Sequence, residues 1–133
     1  MRKEKIDKIT KYWIEHSNYD FDTAKAMYKS RRYLYVTFMC QQAVEKLIKG
    51  IITTVSSEIP PKIHNLTRLA ELAGIITKLN QNQKDFLAAL TPFCIETRYA
   101  DYLEKMSKLA NFKLSKEYLI KTKEMLGCLK KMI

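Results

Sequence analysis

Residues that break helices are scarce in this chain. Its 133 residues include only three prolines and three glycines. Long uninterrupted helices suit that composition better than many short strands joined by tight turns, which depend on these two residue types. The length fits one domain that can bury a core of its own. We therefore expect a single all-α domain over residues 1–133.

Apolar side chains recur at spacings of three and four residues, the period of an amphipathic helix. The predicted helices cover about residues 4–30, 33–55, 65–79 and 81–106, and a last helix starts near Ser115 as its N-cap. Pro60 and Pro61 end the second helix, because proline cannot donate a backbone hydrogen bond. Pro92 lies inside the fourth, where the helix either kinks or starts again at Thr91. Short connections between these segments favour an up-down bundle.

The net charge of +10 favours a polyanionic partner such as nucleic acid. The charge is evenly spread, since residues 1–66 and 67–133 each hold 12 Lys/Arg and 7 Asp/Glu. The chain therefore has no basic tail, and its charge distribution permits contact with nucleic acid without requiring it.

No targeting segment or cofactor motif is evident in the sequence. No apolar run approaches the roughly 20 residues that span a bilayer, and the first eleven residues are too charged for a signal peptide. Cys40, Cys94 and Cys128 lack the close spacing of a disulfide framework or zinc motif, so we expect buried reduced thiols. His64 is expected to cap or pack a loop. We predict a cytoplasmic protein without membrane contact, metal or cofactor.

Three charged residues fall on the apolar stripes. Asp20 lies on the stripe of the first helix, and a buried lone carboxylate is costly without a partner. Arg98 and Asp101 extend the stripe of the fourth helix and are neighbours on one face. One hypothesis is that Asp20, Arg98 and Asp101 form a shared polar cluster; the other is a structural ion pair that fixes helix register.

A band of polar residues follows one side of the second helix. It consists of Gln41, Gln42, Glu45, Lys46 and Lys49. Glu45 and Lys49 are four residues apart, so a solvated helix face explains the band. Alternatively, Gln42, Lys46 and Lys49 line a ligand groove or a dimer seam, an interpretation that Phe38 on the same side favours.

Four stretches of the sequence resemble, in the same order, the elements of HEPN (higher eukaryotes and prokaryotes nucleotide-binding) domains. They are YDFDTAK at 19–25, CQQAVEKLIK at 40–49, PPKIHNL at 60–66 and RYAD at 98–101. The resemblance implies four main helices with an additional short helix, commonly in a homodimer. Many HEPN domains pair with a minimal nucleotidyltransferase as toxin and antitoxin, and many others are metal-independent RNases.

The HEPN RNases carry an arginine followed closely by a histidine, which stabilise phosphate charge and transfer the proton, respectively. The positions after Arg98 where that histidine would stand hold Leu103, Glu104 and Lys105, and no histidine lies downstream. A carboxylate is a poor substitute for imidazole at neutral pH. The sequence therefore predicts no catalytic residue of this type.

The favoured prediction is a non-catalytic module that binds a nucleotide or RNA, a nucleotidyltransferase partner, or both. The alternatives are an RNase toxin with a non-standard active site and a dimeric interaction scaffold without a ligand. The candidate ligand-binding residues are Arg98, Tyr99, Asp101, Asp20, Gln42, Lys46, Lys49 and His64.

Overall fold

A computed structural model describes residues 2–96 and 98–133. Within them the chain forms six α-helices and two short 3₁₀ turns, and no strand. The helices are α1 (Lys3–Lys29), α2 (Tyr33–Ser56), α3 (Leu66–Leu72), α4 (Gln81–Leu90), α5 (Ala100–Leu109) and α6 (Phe112–Lys130). The predicted all-α bundle is confirmed, with three long helices and three short ones. None of the described helices is both long and apolar enough to span a membrane.

The second helix is the centre of the bundle. α1 packs along it, and α3 and α6 cover further parts of its surface. Leu47, Ile48 and Ile51 of α2 are among the largest fully buried side chains. The Ser17 hydroxyl of α1 donates to the Ala43 carbonyl of α2 at 2.6 Å. Because neighbours cover α2 on several sides, its polar residues are also enclosed.

The predicted third helix is shorter than expected. α3 ends at Leu72, and Gly74 follows with φ of 72°, in the left-handed region that glycine adopts without a steric penalty. The chain then makes a separate 3₁₀ turn at Ile76–Lys78. The apolar spacing runs across this break, which is why periodicity alone predicted one helix over 65–79.

The predicted fourth helix is two helices. α4 begins with a capping box between Asn80 and Gln83 and ends at Leu90. Pro92 lies in the 3₁₀ turn Thr91–Phe93, and α5 starts only at Ala100. Residues 94–96 and 98–99 between them are not helical. The helix neither kinks at Pro92 nor restarts at Thr91, and the apolar stripe of α4 does not extend to Arg98.

The last helix starts earlier than predicted. Asn111 is its N-cap, and its side chain accepts the Leu114 N–H at 2.9 Å. Ser115, the predicted cap, is fully buried inside α6, where its hydroxyl donates to the Tyr33 carbonyl at 3.3 Å. Ser115 therefore joins α6 to the start of α2.

Candidate functional site

The polar band of α2 is buried, so the prediction of a solvated helix face is wrong. Gln41 is 0% exposed, Gln42 8%, Glu45 4% and Lys49 6%. Phe38, which favoured an interface on this side, is half-buried and packs against the core. These side chains form a buried polar network rather than an open groove or seam.

Glu45 is the centre of this network. Its Oε1 accepts Gln41 Nε2 at 3.0 Å, and its Oε2 accepts Lys49 Nζ at 3.0 Å. His64 Nδ1 lies 2.9 Å from Oε1. Because a carboxylate only accepts hydrogen bonds, this imidazole nitrogen carries the proton. These three donors, one of them an ammonium, compensate the buried negative charge.

Two loops are attached to α2 through the same network. Gln41 Nε2 also donates to the His64 carbonyl at 3.1 Å, which fixes the loop before α3. Gln42 Nε2 donates to Gln41 Oε1 at 2.7 Å and reaches Cys94 Sγ at 3.8 Å, in the loop after α4. The expected loop-packing role of His64 agrees with these contacts, and the half-exposed imidazole is the part of the network that solvent reaches.

Cys94 is buried in this network as a neutral thiol. Burial and the nearby Glu45 carboxylate raise the pKa of Cys94 to about 11. Burial likewise raises the pKa of Cys40 to about 12. Both thiols are buried and reduced, as predicted, whereas Cys128 is only half-buried.

Asp20 pairs with Lys46, so the predicted cluster of Asp20, Arg98 and Asp101 is wrong. Lys46 Nζ lies 2.6 Å from Asp20 Oδ2, and this ion pair joins α1 to α2. Asp20 is 7% exposed, so the pair offsets the cost of burying its carboxylate. The structural alternative, an ion pair that holds two helices in register, describes Asp20 correctly with a different partner.

Arg98, Tyr99 and Asp101 lie together on the surface, where the loop after α4 leads into α5. Arg98 Nε donates to the Cys94 carbonyl at 3.4 Å, and its guanidinium lies 5.0 Å from the centre of the Tyr102 ring. Tyr99 is 88% exposed. Among residues 2–96 and 98–133, no carboxylate lies within ion-pair distance of Arg98.

The eight predicted site residues therefore fall into three groups. Gln42, Lys49 and His64 belong to the buried network, and Asp20 and Lys46 form the α1–α2 ion pair. Arg98 and Tyr99 lie in the exposed loop before α5, and Asp101 lies in the first turn of α5. Cys94 connects the network to the loop, because its thiol contacts Gln42 and its carbonyl accepts a hydrogen bond from Arg98 Nε. Sequence reasoning missed the roles of Gln41, Glu45 and Cys94, which no local spacing relates to His64.

The HEPN domain family model matches residues 10–132. No curated protein gives a significant match. Among solved structures, the chain is similar to the crystal structure of TT1696 from Thermus thermophilus, with a TM-score of 0.78 and 17% sequence identity. That alignment covers 93% of this chain and 98% of the other, and it shows a shared fold. Since the family model spans nearly the whole sequence, the chain belongs to the HEPN domain family.

Proposed function

We propose that this HEPN domain is a non-catalytic module that binds RNA at the surface loop of Arg98 and Tyr99. The observation that carries the proposal is the exposed Arg98, which has no ion-pair partner among the described residues, next to Tyr99, which is 88% exposed. Arginine binds phosphate with its planar fork of donors, and aromatic rings stack on unpaired bases. The two residues offer both halves of a nucleotide contact.

The local geometry supports this assignment. The Cys94 carbonyl and the Tyr102 ring hold the Arg98 side chain from one side, and its terminal NH₂ groups make no hydrogen bond within the described residues. Tyr99 stands on an open loop, where a base of an extended strand can stack from solvent. This favours single-stranded RNA over an enclosed mononucleotide. The net charge of +10 adds long-range attraction for a polyanion.

The lysines of α2 are weaker candidates for phosphate contact. Lys49 is buried against Glu45, and Lys46 is held by Asp20. Each already has a carboxylate within ion-pair distance, so a phosphate would have to compete for it. The buried network, which includes Gln42, Lys49 and His64, instead contacts the loop before α5 through Cys94.

Replacing Arg98 by alanine is expected to weaken RNA binding about tenfold and to lower the salt dependence of binding by about one phosphate contact. Tyr99→Ala is expected to cost about 1–3 kcal/mol of stacking with little change in salt dependence. Fluorescence anisotropy of labelled single-stranded RNA, titrated at several KCl concentrations, measures both effects.

Arg68→Ala is the matched control, because Arg68 is an exposed arginine of α3 near Glu71. It removes the same charge from another surface, so binding should change less than twofold. Equal losses in the two variants would show non-specific attraction and contradict the proposal. Tight binding of ATP or GTP without RNA binding would show that the ligand is a mononucleotide and not RNA. Cleavage of the RNA would support the RNase alternative.

A second candidate function, a dimeric interaction module, is favoured by an apolar groove. Ile9, Tyr12 and Trp13 of α1 line it together with Ile59, and Tyr12 and Ile59 are 51% and 74% exposed. An exposed patch of this kind often marks a protein contact. A second copy of the chain is the proposed occupant, since homodimers are common among HEPN domains. A minimal nucleotidyltransferase, in a toxin–antitoxin pair, is the other candidate partner, and copurification after coexpression tests it.

Ile59→Glu is expected to convert a dimer into a monomer, because a carboxylate would be buried unpaired in the apolar seam. Light scattering after gel filtration measures the mass. Ile120→Glu is the control, since Ile120 is 53% exposed on α6. A wild-type chain that is monomeric at high micromolar concentration would contradict the dimer.

A further inference from the structure

Three side chains of the buried network bring different metal-ligand atoms together. The Glu45 carboxylate, the His64 imidazole and the Cys94 thiol each place one ligand atom within 4.8 Å of the other two. Glu45 comes from α2, His64 from the loop before α3 and Cys94 from the loop after the second 3₁₀ turn. Because these three residues are distant in sequence, no short sequence motif identifies them as metal ligands.

We propose that Glu45, His64 and Cys94 form a binding site for a divalent transition-metal ion of the zinc type. The site is independent of the proposed RNA binding and lies beneath the loop that carries it. An oxygen, a nitrogen and a sulfur ligand suit zinc, which takes all three in tetrahedral geometry. His64 is half-exposed, so the ion enters from its side and a water molecule completes the fourth position.

The surroundings of the three side chains resemble the outer shell of a metal site. Lys49 donates to Oε2 of Glu45 and Gln41 donates to Oε1, which orients Oε1 toward His64. Gln42 Nε2 lies 3.8 Å from Cys94 Sγ, where an N–H group stabilises a metal-bound thiolate. Such partners orient the ligands before the ion arrives. The nearby ammonium of Lys49 opposes a second positive charge, so the affinity should be lower than that of an all-cysteine site.

Binding requires only small movements. His64 Nδ1 donates a hydrogen bond to Glu45 Oε1 at 2.9 Å. Ligand atoms about 2.0–2.3 Å from a tetrahedral ion stand roughly 3.3–3.8 Å from one another. The distance between Nδ1 and Oε1 therefore increases slightly on binding, and the Cys94 sulfur moves closer to both atoms. Cys94 releases its S–H proton to water as the sulfur–metal bond forms, and the imidazole proton moves through solvent from Nδ1 to Nε2. No oxidation state changes.

Cobalt(II) is the probe for this site, because thiolate coordination produces a near-ultraviolet charge-transfer band and tetrahedral geometry produces strong visible bands. Protein freed of metal with EDTA should bind one Co²⁺ per chain with both signals, and Zn²⁺ should displace it. Cys94→Ser should lose the charge-transfer band, and His64→Gln should weaken binding about 100-fold or more. Circular dichroism of each variant verifies that it is folded.

Cys128→Ser is the matched control, since Cys128 is a half-buried thiol that is not part of the cluster. It should keep the full cobalt spectrum. Absence of the charge-transfer band in the wild type, or its persistence in Cys94→Ser, would overturn the proposal. RNA binding measured in EDTA reports separately on the Arg98 loop, so either proposal can fail without the other.

Discussion

Glu45→Ala is expected to lower the free energy of unfolding by about 3–5 kcal/mol, the typical effect of removing one partner of a buried ion pair. The substitution leaves the Lys49 ammonium 6% exposed without a counter-charge and deprives Gln41 and His64 of their acceptor. Both loops that depend on the network should loosen with it. Urea unfolding in the presence of EDTA, followed by circular dichroism, gives the free energy without any contribution from metal.

Glu104→Ala is the control for this prediction. Glu104 and Lys108 are also four residues apart on a helix, with Oε1 and Nζ at 3.5 Å, but both side chains are exposed. Solvent screens such a pair, so its loss should cost no more than about 0.5 kcal/mol. Similar costs for Glu45→Ala and Glu104→Ala would show that the network of α2 does not stabilise the fold.

Gly50→Leu is expected to lower the free energy of unfolding by about 1–3 kcal/mol, as overpacking of a core does. A Cβ atom at Gly50 would lie 3.2 Å from the Cβ of Trp13, so the glycine lets α1 approach α2 closely. A leucine would push the two helices apart. It would do so although leucine favours a helix over glycine by about 1 kcal/mol.

Gly127→Leu separates these two effects. Gly127 is exposed in α6, and a Cβ built there lies within 4 Å of no heavy atom other than those of adjacent residues and the helix's own backbone. Because nothing crowds the Cβ, the helix preference should dominate, and this variant should be more stable than the wild type by up to about 1 kcal/mol. Thermal unfolding of the two variants side by side measures the contrast. A stable Gly50→Leu variant would contradict the close packing of α1 on α2.

The first two helices could be predicted well from the sequence, and the bounds of the later ones could not. α1 and α2 lie within a residue of their predicted ends, because their apolar stripes are long and end at breaks in the pattern. The break after α3 was missed although Gly74 lies beside it. The break near Pro92 was predicted as one of two alternatives, but the next helix starts at Ala100 and not at Thr91. Apolar spacing continues across both, and only the packed chain distinguishes a continuing helix from a new one.

The candidate site was predictable only in part. The RYAD motif pointed to Arg98 and Tyr99, which are exposed and adjacent. Apolar periodicity, a separate argument, placed Arg98 on a buried stripe that in fact ends before it. Asp20 was expected to need a partner, and it has one in Lys46. Which residue pairs with Asp20 depends on how α1 crosses α2, and the spacing within either helix does not specify that crossing.

The sequence by itself determined the all-α class, the extents of α1 and α2 and membership of the HEPN family. Tertiary structure decided which polar residues are buried. Glu45–Lys49 and Glu104–Lys108 have the same residues at the same spacing, yet the first pair is enclosed and the second is solvated. Helical periodicity states which side chains share a face, whereas burial depends on what covers that face. For α2 the covering elements include the loops of His64 and Cys94, which come from distant parts of the chain.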